Sequence, residues 1–294
     1  MTSQYDTLLK INLDDLVSSF GWEDKPILPR ILQQVFLKPA QTFARQMNAF
    51  DTEVGKSGLV EGARFALRKY FNDIRIFGSG NIPGSGFLAV SNHPGMSDTL
   101  STFIALDRRE LKIIALQRPF LEALTNVSKQ LFYVTDDPAS RMNLVRQVST
   151  HLRNGGRVLT YPAGEIEPDP DVHTDAVESL NTWMDSVGVF IRMAPETPIL
   201  PILVRGVVWK KALNHPLTRI RRTRMEREQL AAALQVFAYM RGKIHEGRVR
   251  VQIGNPIYSK QLGTTETKII HQAVLAEMKR LIENPPVDEG VSAL

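Results

Sequence analysis

An α/β fold is predicted for this chain, with a mixed, mostly parallel central sheet flanked by helices and preceded by an N-terminal helical segment. Three observations carry it. From Asp73 onward, short apolar runs alternate with longer stretches of helical spacing. The runs close on Gly, Pro or Asn turns such as Asn154-Gly155-Gly156 and Gly254-Asn255-Pro256. Residues 1–72 show helical spacing alone, so the chain divides into an N-terminal helical region (1–72) and an α/β domain (73–294).

The N-terminal part opens with a short apolar face (Leu8, Leu9, Ile11, Leu13, Leu16, Val17). A turn is expected at Gly21 and Pro26. Residues 27–50 then place Ile31, Leu32, Val35, Phe36, Phe43, Met47 and Phe50 at helical spacing, with a break or kink at Pro39. Gly55 to Gly58 reads as a loop, and Leu59 to Phe71 as a further helix with Arg64, Arg68 and Lys69 on its polar side. Such helices can serve as a cap on the α/β domain or as a membrane-surface device, and the two are compatible.

Ile74 to Phe77 is the first strand, followed by a turn-rich link, Gly78 to Gly86. Phe87 to Val90 is a buried strand, and Pro94 suits the first position of a helix running to about Leu106. Leu111–Leu116 and Leu131–Val134 are strands flanking a helix over 121–129. Arg141 to Arg153 is a helix, Arg157 to Tyr161 a strand, Thr182 to Ala194 a helix and Ile199 to Val208 a strand. A long helix follows over 226–245, then the alternating strand Arg248–Ile253 and a closing helix over 265–282. Asn284 to Leu294 is expected to fray.

Composition narrows the chemistry. Hydrophobic residues make up 43% and charged residues 23% of the 294, enough apolar material for a sizeable core. The absence of cysteine excludes disulfides, thiolate metal sites and a cysteine nucleophile. The six histidines are not paired at metal-ligand spacing, and no metal is expected. The first residues carry acids without an apolar core, unlike a signal peptide, and no uncharged run approaches the roughly 18 residues of a spanning helix. A cytoplasmic protein is expected. Its net charge of +5 points to an anionic partner.

The stretch Phe87 to Leu100 concentrates the candidate chemistry. Its strand would end at Ser91-Asn92-His93, placing His93 at a strand-to-helix corner with Asp98 five residues on, free to reach back. A base oriented by a carboxylate is the working half of a nucleophile-activating site. The competing reading is a corner histidine beside an ordinary first-turn acid favoured by the helix dipole. In α/β sheets ligands sit beyond the carboxyl ends of the strands, where His93, Asp136 and Gly164 fall in this reading.

Asn92-His93-Pro94-Gly95-Met96-Ser97-Asp98 resembles the NHx4D block of the glycerolipid acyltransferases, the lysophosphatidic acid and glycerol-3-phosphate acyltransferase superfamily. Other blocks fall in the family's order: Asn81-Ile82-Pro83 before it, then Tyr161-Pro162-Ala163-Gly164 where the family has Phe-Pro-Glu-Gly. Pro198 to Ile202 and Val251 to Ile257 resemble its later strands, so the likeness spans about Asp73 to Ile257. It implies that His93 takes the proton from an acceptor hydroxyl while Asp98 orients the imidazole. The hydroxyl then attacks the thioester of an acyl-CoA or acyl-carrier protein, with a lipid or lipid precursor as acceptor and no cofactor. Backbone N–H groups near the helix start or at Gly164 are candidates to hold the oxyanion. Asn92, Gly95, Arg141, Tyr161, Pro162, Gly164 and Glu165 are the expected substrate-binding residues, with Gly95 leaving room for the thioester.

Two blocks depart from the family. Its Phe-Pro-Glu-Gly glutamate is Ala163 here, no arginine follows Gly164, and Glu165 and Glu167 come next; either could substitute for the missing carboxylate, with Glu165 preferred. The strand Leu131 to Val134 lacks the family's terminal arginine, and Arg141 is the nearest. Because such arginines bind the acceptor's phosphate, their loss leaves a different hydroxyl or an amine acceptor open. It also leaves open a non-catalytic lipid- or acyl-CoA-binding protein on the same fold. Finally, Trp209 to Arg227 holds seven Lys or Arg against one Glu. This run reads as a solvated loop, a contact for anionic headgroups, or a site for the phosphates of CoA. Nucleic acid is not expected, since the run lacks interleaved aromatics. A peripheral position on the inner face of the membrane follows from the headgroup reading.

Overall fold

In the computed structural model, residues 3–18, 20, 28–95, 97–245, 247–287 and 289–294 are described. The turn expected at Gly21 and Pro26 lies outside them. The chain divides into two units, and each is taken by itself.

The sheet unit comprises residues 73–117, 130–207 and 248–294. Its strands are β1 (Ile74–Phe77), β2 (Phe87–Ser91), β3 (Leu111–Leu116), β4 (Leu131–Val134), β5 (Arg157–Thr160), β6 (Ile199–Arg205), β7 (Val249–Ile253) and β8 (Val291–Ser292). They form one eight-stranded sheet in the order β4-β3-β5-β2-β6-β7-β1-β8. The first five in that order run parallel. β7 is antiparallel to β6, β1 parallel to β7, and β8 antiparallel to β1. The predicted α/β fold with a mixed, mostly parallel sheet is therefore present.

Residue type accounts for the centre of this sheet. β2 and β6 are buried along their whole length, as suits continuous apolar runs covered on both faces. Leu88 and Val90 of β2 join Ile199 and Leu203 of β6 in one core. Leu144, Val148 and Leu152 of the helix Pro138–Arg153 enter it, with Val187, Phe190 and Ile191 of Ser186–Met193. Ile270, Val274, Met278 and Leu281 of Thr267–Glu283 complete it. The helix Asp98–Leu106 packs on β6 and β7. Arg205, 3% exposed at the end of β6, donates to the carbonyls of Leu281 (2.9 Å) and Ile282 (3.1 Å), satisfying the last turn of the closing helix.

The helical unit comprises residues 1–72, 118–129 and 208–247. The boundary expected at 72/73 thus marks where the sheet begins, while two later helical stretches group with the N-terminal helices. Local contacts explain why. The buried carboxylate of Asp51 accepts the N–H groups of Asn126 and Val127 (each 2.9 Å), holding the first turn of Thr125–Ser128. Leu230 of the helix Arg224–Met240 shares a core with Val17, Phe20, Leu32 and Phe36.

Several expected boundaries move. Leu28–Ser57 is one helix that passes through Pro39 and through the loop expected at 55–58, ending at Gly58. Proline there removes only the bond to the Val35 carbonyl, on a residue 56% exposed, while Phe36, Ala40 and Ala44 bury the other side. The helix expected over 121–129 is two short ones, Pro119–Ala123 and Thr125–Ser128. That expected over 182–194 is a 3-10 turn, Glu178–Thr182, and the helix Ser186–Met193. The C-terminal tail, expected to fray, adds β8 to the edge of β1, pairing Ile76 with Val291 and Arg75 with Ser292. The unpaired edge of β1 supplies the hydrogen bonds that hold it. Among the described residues, no helix is long and apolar enough to cross a membrane.

Candidate active site

β2 and β5 are neighbours, so the residues just beyond their carboxyl ends meet. His93 follows β2 and Tyr161 follows β5, and their ring centroids lie 4.9 Å apart. The helix after β2 begins at Asp98, with Ser97 at its cap, rather than at Pro94. Asp98 therefore sits at the first helical position, and its carboxylate closes back over His93 and Gly95, which precede the helix.

That closure is tight. Asp98 is fully buried, and its Oδ2 lies 2.7 Å from His93 Nδ1 and accepts the Gly95 N–H at 3.0 Å. Its Oδ1 accepts the N–H and the hydroxyl of Thr99. A carboxylate flanked by these donors can only accept, so Nδ1 carries the proton in neutral His93 and Nε2 keeps its lone pair. The histidine side chain is 32% exposed, so a group held by its carboxylate still reaches solvent. Burial favours the uncharged ring, but the Asp98 carboxylate outweighs it. Glu167 adds to the effect, and the His93 pKa stands above its ordinary value.

The neighbours of the pair are equally committed. The Tyr161 hydroxyl donates to Thr99 Oγ1 at 2.8 Å, and burial, with the Asp98 charge, pushes its pKa well up. Glu167 is 4% exposed. Its Oε2 accepts the His93 N–H at 2.9 Å, its Oε1 accepts the Trp183 indole N–H at 2.6 Å, and its own N–H donates to the His93 carbonyl at 2.9 Å. Burial raises the Glu167 pKa to about 7 despite these hydrogen bonds.

Of the residues expected at the site, His93, Asp98, Gly95 and Tyr161 come together. Asn92 takes a different part: its amide N–H donates to the Val204 carbonyl and its amide oxygen accepts the Val204 N–H, each at 2.8 Å. With both ends of the amide spent on β6, it fixes the exit of β2 instead of meeting a substrate. Gly95 approaches Val207, whose Cγ1 would lie 3.2 Å from an added Cβ. The space expected for a thioester is, in that direction, taken by valine.

Pro162 is buried, and its carbonyl accepts the Met184 N–H at 3.1 Å. Gly164 turns the chain at φ 70°, a left-handed conformation suited to glycine. Its N–H donates to the Tyr161 carbonyl at 3.1 Å, which removes it as an oxyanion donor. Glu165, the expected substitute carboxylate, is exposed. Ala163, where the resembling family has its glutamate, is partly buried and packs against the hydrophobic core. Arg141 is exposed at the start of the helix after the edge strand β4, where it donates to the Thr135 carbonyl at 3.0 Å and lies 3.6 Å from Asp136.

The carboxylate that meets His93 is Glu167, the alternative to the preferred Glu165. It and Glu165 stand in a loop without periodicity, and no local signal separates the buried carboxylate from the exposed one. Asp169, fully buried further along, accepts the N–H groups of Gly206 (3.0 Å) and Val207 (2.7 Å) and pins this loop to the end of β6. Among the described residues, no group of three or more His, Cys, Asp or Glu is placed to hold a metal ion.

Comparison with known proteins places this site in context. Residues 73–205 match the family model described as Acyltransferase. A similar solved structure is that of the 1-acyl-sn-glycerophosphate (LPA) acyltransferase PlsC from Thermotoga maritima. It is 18% identical, with a TM-score of 0.45 over 95% of this chain and 99% of that one. No curated protein matches.

Proposed function

From the match of residues 73–205 to the acyltransferase family model, we propose that the chain moves a fatty acyl group from an acyl thioester to a hydroxyl of a lipid-type acceptor. One observation carries the reading: a buried carboxylate holds Nδ1 of a partly exposed histidine at the carboxyl end of a central parallel strand. In this reading His93 Nε2 takes the acceptor's hydroxyl proton as the oxygen attacks the thioester carbonyl. The tetrahedral intermediate then collapses, the C–S bond breaks, and the thiol leaves with the proton returned from the imidazolium. Asp98 keeps the tautomer correct and stabilises the charged ring between these steps. Acyl-CoA and acyl-carrier protein both supply the required thioester, and the residues named need no cofactor.

The acceptor pocket differs from that of a glycerol-phosphate enzyme. Ala163 is turned to the core and Arg141 is engaged at an edge strand, so no arginine fork stands beside His93 in the loops after β4 and β5. A hydroxyl acceptor without a phosphate to be gripped there fits best. Peripheral membrane contact on the cytoplasmic side is part of the reading. It is supported by exposed Lys210, Arg219 and Arg222 around Leu217 (40% exposed) and Ile220 (41% exposed).

The test is acceptor-dependent thiol release. Purified protein is given acyl-CoA or acyl-carrier protein with a panel of extracted lipids, and products are identified by mass. Release that requires acceptor and yields an acylated lipid supports transfer. Donor binding with no release across the panel would instead mark a non-catalytic acyl-thioester-binding protein.

A further inference from the structure

The loop after β5 returns to the base in a way that the His93–Asp98 pair alone does not require. Glu167 meets His93 at three points if charge is included: its carboxylate takes the backbone N–H, its backbone N–H gives to the carbonyl, and its negative charge faces the ring. The opposite carboxylate oxygen is anchored by the Trp183 indole. Trp183 is 4% exposed in the same core as Val90, the last apolar residue of β2. We propose that Glu167 is the positioning residue of the His93 base, gripping its main chain at both polar groups while lending the imidazolium a second negative neighbour. This rests on His93 being the base.

The hydrogen bonds favour the charged carboxyl. Both of its oxygens accept from N–H donors, and such hydrogen bonds are stronger to the charged form. Ionisation at this buried position costs free energy, which the two donors partly offset. The clamp is therefore strongest above a pH of about 7, where the carboxyl is ionised. The charged and titratable groups around it are few. Asp98 and Tyr161 also meet His93, and the Asp98 charge works against ionisation of Glu167. Losing the Glu167 charge removes one of the influences that raise the His93 pKa. Losing its hydrogen bonds frees the main chain that carries the ring, and small displacements of a catalytic group cost about 100-fold in rate.

Glu167→Gln separates these effects from simple packing, because it preserves volume but sets an amide N–H against one of the two donors. The expected result is a folded protein with kcat/KM down about 10- to 100-fold. The acid limb of its pH profile should shift to lower pH. The His93 ring titration, followed by NMR and assigned by comparison with His93→Gln, should move the same way. Trp183→Phe leaves the grip on His93 but removes a donor that stabilises the charged carboxyl. Its deficit should be largest near neutrality and recover as pH rises, a recovery that Glu167→Gln should not show. A folded Glu167→Gln whose His93 titration and acid limb match wild type would overturn the proposal. If Glu167→Gln does not fold, a Trp183→Phe deficit equal at every pH does so. The NMR titration needs no turnover, so an absence of acyl transfer and an absence of the clamp give different results.

Discussion

At the scale of residues, the site turns on two carboxylates with opposite surroundings. Asp98 accepts from three N–H donors and a hydroxyl at the start of a helix, an environment made for an anion. Glu167 has two donors to its carboxylate and deep burial, and its pKa climbs to about 7. The consequence for His93 has a definite sign. Its folded pKa lies above the ordinary 6.5, so the pair stabilises the fold fully below that value, and this contribution is lost as pH rises through the folded pKa. In the proposed role catalysis runs the other way, since a general base must be neutral, and the rate should climb through the same pH window. Asp98→Asn should cut kcat/KM by about a hundredfold or more, because an amide can present its own N–H to Nδ1 and select the wrong tautomer. It should also move the acid limb of the profile to lower pH. Kinetics across pH would check both, and an unchanged acid limb would contradict the role given to Asp98.

At the scale of elements, what was legible in the sequence followed from continuous burial. Phe87 to Val90 and Ile199 to Leu203 are unbroken apolar runs, and β2 and β6 lie where those runs are. What was not legible depended on partners distant in the chain. The sequence pattern placed the helix start at Pro94, yet the helix begins at Asp98, whose carboxylate accepts the Gly95 N–H. Asn92 reads as a substrate ligand until β6 is seen beside it. The tail reads as unpaired until β1 offers it an edge. The Asn92 pairing can be weighed directly. Asn92→Ala would leave the buried N–H and carbonyl of Val204 without their partner, at about 1–3 kcal/mol each. A drop in Tm of several degrees is expected, at about 2–4 °C per kcal/mol for a unit of this size. Thermal unfolding would measure it. An unchanged Tm would mean that the exit of β2 is held by other means.

At the scale of the whole molecule, sequence order and spatial grouping diverge. The residues of the site come from loops after two neighbouring parallel strands, all within the sheet unit. The densest basic run belongs to the helical unit, and there Leu217 and Ile220 stand exposed among Lys210, Arg219 and Arg222. Basic residues near an anionic bilayer contribute about 1 kcal/mol each, an attraction that salt screens. Binding to vesicles containing phosphatidylglycerol should weaken as salt rises and on reversing the charge of Arg219 and Arg222. Salt-insensitive binding would instead assign anchoring to apolar contact, as at exposed Ile31 and Val35. The central claim, that His93 is the base of an acyl transfer, is tested most directly by the turnover of His93→Ala against wild type on the same thioester and acceptor. With folding matched by circular dichroism and unfolding midpoint, kcat/KM should fall by about 10²–10⁴. Transfer within twofold of wild type would contradict it.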